Sequence, residues 1–123
     1  MKRECRAKAL IAKSGKQIND FIMSRSAIEQ MHKDNNVGKP LLNGVGVDKP
    51  FIFGSIVGTE LVDNPETNEL ELWGEFIYAL DVDEPDIIGE WSYEVQYDYE
   101  DMDANNVMHK CELSSCTLLE SLL

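Results

Sequence analysis

A chain of 123 residues is near the modal size of one domain and can bury a single core without metals or disulfides. With 43% apolar residues, 28% charged residues and only 12 Pro and Gly, it has a globular composition, neither disordered nor repetitive. The net charge of -12 is unevenly divided: residues 1–50 hold ten of the eleven Lys and Arg against five acids, and residues 51–123 hold one against eighteen. No base lies between Lys49 and Lys110, which argues against nucleic-acid binding by the whole surface and for a protein partner with a basic face.

In chain order, residues 3–12 alternate weakly, Ser14-Gly15-Lys16 signals a turn, and an apolar run over 18–23 follows, so a hairpin is expected. Ser26-Ala27-Ile28-Glu29 has the S-x-x-E form of a capping box, in which hydroxyl and carboxylate each satisfy an orphan backbone donor. A short helix over 26–34 is expected, burying Ile28 and Met31 and stopped by Asn35, Asn36 and Gly38. Residues 39–43 suit the start of a strand, because Pro40 cannot donate a ladder hydrogen bond. Residues 51–62 and 69–78 form a long hairpin about the turn Asp63-Asn64-Pro65-Glu66-Thr67-Asn68. On its return strand Leu70, Leu72, Gly74 and Phe76 share one face, while Glu69, Glu71, Trp73 and Glu75 share the other.

Residues 81–90 form an acidic connection. Beyond it Trp91, Tyr93, Val95, Tyr97 and Tyr99 alternate with polar residues and are expected to face the core. A last strand over 107–119 carries Cys111, Leu113, Cys116 and Leu118. This order is mainly β with one short helix, and the closely spaced turns favour an antiparallel barrel, closed or nearly closed.

Three stretches resemble the tailed-phage prohead protease family, whose fold is shared with herpesvirus assembly proteases. They are SRSAIEQMHKDNNVGKPLLN at 24–43, KPFIFGSIVGTELV with its return strand at 49–76, and GEWSYEVQYDY followed by CELSSCTLLESL at 89–122. The resemblance implies a nucleophile at Ser92 and a catalytic histidine at the end of Leu41-Leu42-Asn43, where this chain has Gly44. A serine hydroxyl needs an adjacent base, and glycine cannot supply one. Of the two histidines, His32 lies on the expected helix, and only His109 is placed to form a rebuilt dyad with Ser92, with an acid such as Glu112 to orient it. The simpler alternative is a polar-face serine and an exposed histidine.

Other constellations have plain readings. Asp81, Asp83, Glu84 and Asp86 lack the calcium-loop order, because Pro85 and Asp86 stand where an oxygen ligand and a glycine are needed. Asp98, Glu100, Asp101 and Asp103 read the same way. Cys111, Cys116 and His109 lack a fourth zinc ligand, so with Cys5 the thiols are expected reduced and buried. The Trp73, Trp91 and Tyr93, Tyr97, Tyr99 set lacks the interleaved cations of a base-stacking platform. Gly44-Val45-Gly46 lacks the Lys and the strand-to-helix context of a phosphate loop. No cofactor or metal is expected.

The missing base favours a non-enzymatic phage virion or capsid-assembly protein that binds a coat or assembly protein, and it leaves room for a homo-oligomer. Two alternatives remain open. One is a serine endopeptidase that processes capsid or scaffold precursors through Ser92 and His109. The other is an acidic phage-encoded inhibitor of a host protein, suggested by sixteen acids and no base over residues 60–103. No window is long and apolar enough to span a bilayer, and no apolar stretch follows the first charges, so the expected location is a host cytoplasm during assembly, and the virion afterwards. The charge division is the one feature with no structural account in the sequence itself.

Overall fold

The computed structural model describes residues 1–17, 21–44, 48–82 and 91–121, and of 91–94, 97–101 and 119–121 the backbone alone. Eight strands and one helix follow in the order β1 (Lys2–Lys13), β2 (Gly15–Lys16), β3 (Ile22–Met23), α1 (Arg25–Lys33), β4 (Pro40–Asn43), β5 (Phe51–Asn64), β6 (Glu69–Asp81), β7 (Trp91–Met102) and β8 (Val107–Ser121). They form one strongly curled, open half-barrel sheet in the order β1-β6-β5-β4-β8, with β7 along the other side of β8.

A strand has only two edges, and β7 pairs antiparallel with β8 from Trp91 opposite Ser121 to Met102 opposite Met108. The other edge of β8 is shared: β3 runs parallel to it at Val107 and Met108, and β4 runs parallel to it at Cys116, Thr117 and Leu118. β3 and β4 are thus two pieces of one lane. Between them the chain leaves the sheet as α1, which packs against β8, β6, β5 and β1 and buries Ala27, Ile28 and Met31 completely. The helix fills the curl, and the alternating apolar face of β6, Leu70, Leu72, Phe76, Tyr78 and Leu80, closes over the same core.

The strand alternation survives along β8 because of a bulge. Tyr97 pairs with Leu113 and Gln96 with Ser115, so Ser114 is the extra residue, and Cys111 and Leu113 before it share the core with Cys116 and Leu118 after it. At Gly54 the close packing of β5 on β6 requires glycine: a Cβ there would fall 2.3 Å from the Ile77 carbonyl oxygen and 2.6 Å from the Tyr78 Cβ. Asn68 and Asn106 take positive φ angles of 59° and 60° in the β5–β6 and β7–β8 turns, a conformation that Asn tolerates better than most residues.

Three expectations need correction. The sheet is open and mixed rather than a closed or nearly closed antiparallel barrel, because two short strands run parallel to β8 and β1 has no ladder to β7. The first long strand does not form a hairpin with residues 18–23. It pairs with β6, over Lys2 to Asp81 through Lys13 to Glu71, and only the two-residue strands β2 and β3 turn back on each other. Residues 18–20 of that expected run lie outside the described residues. The helix starts earlier than the S-x-x-E word implied: the cap is Ser24, whose Oγ accepts from the Ala27 N–H at 3.1 Å, and Ser26 lies inside the first turn with its hydroxyl 2.9 Å from that of Ser24. Pro40 opens β4 as expected.

If the helix is what the sheet curls around, Ile28→Ala should cost about 2–5 kcal/mol, because a cavity forms where nothing can relax inward. Ile52→Ala, at a side chain 68% exposed, should stay within about 0.5 kcal/mol. Urea unfolding of both variants checks this.

Candidate functional site

Pairing register fixes where the suspected catalytic positions lie. Gly44 follows β4, whose Asn43 stands beside Leu118 of β8, and the Gly44 N–H donates to the Leu118 carbonyl at 2.7 Å. Across β8, Tyr93 pairs with Leu118 and Ser92 with Glu120. Positions 44 and 92 therefore flank one strand at the same end of the sheet, two strand spacings or about 10 Å apart. A side chain at position 44, where the resemblance implies a histidine, would be tight: a Cβ on Gly44 would lie 3.0 Å from the Leu118 carbonyl oxygen, 3.3 Å from Thr117 Cγ2 and 3.4 Å from Pro50 Cγ.

His109 lies at the opposite end of the hairpin. It follows Met108, which pairs with Met102, ten residues along β7 from Ser92. At about 3.3 Å per residue that is roughly 30 Å of strand, far beyond hydrogen-bond reach. The register does not bring Ser92 and His109 together; the Ser92 side chain itself is outside the described residues. Nor does Glu112 orient the ring. It stands exposed with its Oε1 3.7 Å from Lys39 Nζ, opposite Asp98.

What His109 does touch is Asp103, with Nε2 2.8 Å from Oδ2. The same carboxylate's Oδ1 accepts from the Asn105 N–H at 2.8 Å and the Val107 N–H at 3.1 Å, so Asp103 closes the β7–β8 turn. The His109 bond, and after it the Val107 and Asn105 N–H bonds, hold the Asp103 carboxyl below its ordinary value. In the sequence Asp103 stood out only as one of the acidic cluster Asp98, Glu100, Asp101 and Asp103. The second histidine, His32, sits on α1 with Nδ1 2.9 Å from the Thr59 hydroxyl, tying the helix to β5.

Position 92 shares its end of the sheet with an apolar rim. Phe51 pairs with Asn43, and Lys2 pairs with Asp81. Phe51 is 50% exposed and Ile52 68%, large values for such side chains, and both line a hollow of about 320 Å³ together with Lys2, Asn43, Phe53, Ala79 and Leu80. Val82 is exposed as well. Phe53 is anchored from below by the Tyr78 ring, with centroids 5.4 Å apart. Exposed apolar side chains thus stand beside the polar Lys2 and Asn43 at this end of the sheet.

The charge division now has a structural account. The basic strand β1 lies beside the acidic strand β6, and beyond that lies β5. Lys2 reaches Asp81 at 2.9 Å, Arg6 Glu75 at 3.5 Å, Lys8 Glu60 at 3.6 Å and Lys13 Glu69 at 3.6 Å, while Arg25 of α1 reaches Asp63 at 2.6 Å. Sequence halves of opposite sign are thus laid side by side. Each such exposed pair contributes about 0–1 kcal/mol, so the ladder favours the β1–β6 register without dominating stability.

Cys5, Cys111 and Cys116 are all buried and free, and burial pushes the Cys116 thiol up to about 12. Among the described residues no group of His, Cys, Asp and Glu is arranged to hold a metal. Val95 packs on the core as expected, and Gln96 on its other side accepts from Ser115 Oγ at 2.8 Å and Thr117 Oγ1 at 3.2 Å. The Trp91, Tyr93, Tyr97 and Tyr99 side chains, the Asp83, Glu84, Asp86 cluster, the Asp98, Glu100, Asp101 side chains and Val45-Gly46 lie outside the described residues. No described helix is long and apolar enough to cross a membrane. Comparison with protein families, curated proteins and solved structures found no match.

Three outcomes are expected. Ellman's reagent at pH 8 should leave the thiols of the native chain unlabelled and titrate all three only after denaturation. Because the folded chain holds the Cys116 proton after the unfolded chain has lost it near 9, that stability contribution is complete below about 9 and lost as pH rises toward 12, a loss absent from Cys116→Ala. At Gly44, substitution by Ala should cost about 1–3 kcal/mol in urea unfolding, because the nearest atom is backbone and cannot swing away.

Proposed function

We propose that this chain is a phage virion or capsid-assembly protein built on a degenerate prohead-protease-like fold, working by binding another protein at the rim around Phe51 and Ile52. The observation that carries the reading is the end of the sheet where positions 44 and 92 flank β8. That is the relation expected of a base and a nucleophile, yet a glycine packed against the Leu118 carbonyl stands where the base is expected, and exposed apolar side chains border the place. A hydroxyl with no imidazole in reach is a poor nucleophile, whereas Phe51 and Ile52 are suitable anchors for a partner. The partner is a coat or assembly protein with a basic face, met by acids that the sequence carries between residues 83 and 103. Charge of that kind sets encounter and orientation more than affinity.

The endopeptidase reading is disfavoured by the hairpin register, which separates Ser92 from His109. The inhibitor reading loses part of its motive, since five of the sixteen acids over 60–103, Glu60, Asp63, Glu69, Glu75 and Asp81, already face a Lys or Arg of the same chain.

The test is made on purified proheads and virions from cells producing the phage. The chain should be found in the particles by mass spectrometry, and Phe51→Asp with Ile52→Asp should abolish its incorporation while leaving it folded. The purified chain should resist a fluorophosphonate. Absence from particles at every stage of assembly would contradict the assembly role; stoichiometric labelling at Ser92, lost in Ser92→Ala, would return the endopeptidase.

A further inference from the structure

Two edges of the half-barrel differ in a way that the fold alone does not require. β1 and β7 are the long strands at its ends, each of 12 residues, and each has one ladder partner among the described residues. By sequence β1 carries Lys2, Arg3, Arg6, Lys8 and Lys13 against one acid, Glu4, whereas β7 carries Glu94, Asp98, Glu100 and Asp101 and no base. A strand edge without a second ladder is a template for another strand, and natural proteins commonly guard it with charge. Here the guards have opposite signs. Two β1 edges repel, two β7 edges repel, and β1 against β7 attracts, which excludes like-edge pairing and selects head-to-tail pairing.

Direction and spacing agree with that selection. Through antiparallel steps β1–β6, β6–β5, β5–β4, the parallel step β4–β8 and the antiparallel step β8–β7, the strands β1 and β7 point the same way. Copies related by rotation about an axis along the strands therefore bring β7 of one beside β1 of the next in parallel. In parallel alignment Lys2 and Arg6 have the four-residue spacing of Glu94 and Asp98, Glu4 meets the neutral Gln96, and Lys8 meets the bulge of β7 at Glu100, beside Asp101. The antiparallel alignment that sets Lys2 against Glu100 would instead put Glu4 against Asp98. The β1 cations are already near β6 and β5 acids, but Arg6 and Lys8 are 60% and 63% exposed and able to reach outward. An incoming strand would lie about 5 Å from β1 and about 10 Å from β6, where salt screening, with a length of about 8 Å, has weakened the repulsion from the β6 acids.

We propose that the acidic edge strand β7 docks in parallel on the basic edge strand β1 of a second copy of this chain, so that open half-barrels join into a closed ring. Such an interface is heterologous, and it closes when the rotation between copies divides a full turn. The proposal does not depend on the phage reading, and it leaves the rim at Phe51 and Ile52 for a different partner.

Sedimentation velocity on the full chain, at low and high salt, tests it with two charge reversals. The wild type should form one closed species at low salt and dissociate as salt rises. Arg6→Glu with Lys8→Glu sets acids against the acids at 98 and 100, and Asp98→Lys with Glu100→Lys sets cations against the cations at 6 and 8; each should be a folded monomer by circular dichroism, associating at least about tenfold more weakly. Mixed in equal amounts, the two variants should associate again, and a chain carrying all four changes should self-associate like the wild type. A wild type that stays monomeric at low salt, association that the reversals leave unchanged, or folded variants that fail to recover on mixing would each overturn the proposal.

Discussion

The apolar stripe of α1 against the concave face of the sheet is the contact on which the other features depend. Ala27, Ile28 and Met31 are fully buried, and the strands that receive them, β6 and β8, turn a row of buried Leu, Phe, Tyr, Met and Cys side chains to the same core. A flat sheet would leave most of that row in water. Curling around a helix buries it, at a benefit of about 1.5–3 kcal/mol for each large side chain enclosed. The chain reaches this arrangement by running β3 and β4 along one edge of β8 and stepping inward as α1 between them.

Much of this was legible in the residues. The β5–β6 hairpin follows from β-branched and aromatic runs about an Asn-Pro-containing turn, and the strict alternation from Leu70 to Phe76 named the buried face. The buried cysteines followed from their number and spacing. What was hidden is long-range. Nothing local in residues 3–12 says that their partner is seventy residues away, and the nearest turn signal, Ser14-Gly15-Lys16, pointed to the wrong neighbour. The useful clue was charge: a basic strand needs acids beside it, and β6 has them at matching positions. Ser24 and Ser26 both precede an apolar pattern, and only backbone geometry distinguishes the cap from the first turn.

The site was legible in part. Gly44 and Ser92 were paired by resemblance alone, and the register sets them on either side of β8. His109 was chosen because it lies on the strand after the serine, but a strand of fifteen residues is long enough for that statement to hold at either end. Asp103, its actual partner, was masked by its role in the turn. The rim at Phe51 and Ile52 gave no signal, because an exposed apolar residue in a β-rich run looks the same as a buried one until the faces are known.

Both the separation of Ser92 from His109 and the position of an acidic strand at one end of the sheet rest on the β7–β8 register. Pulsed electron resonance between spin labels at Ser92→Cys and His109→Cys, with the three native thiols buried and unlabelled, measures it directly. The expected separation is roughly 25–30 Å. A separation small enough for an imidazole to touch the position 92 side chain would contradict the register and restore the catalytic pair.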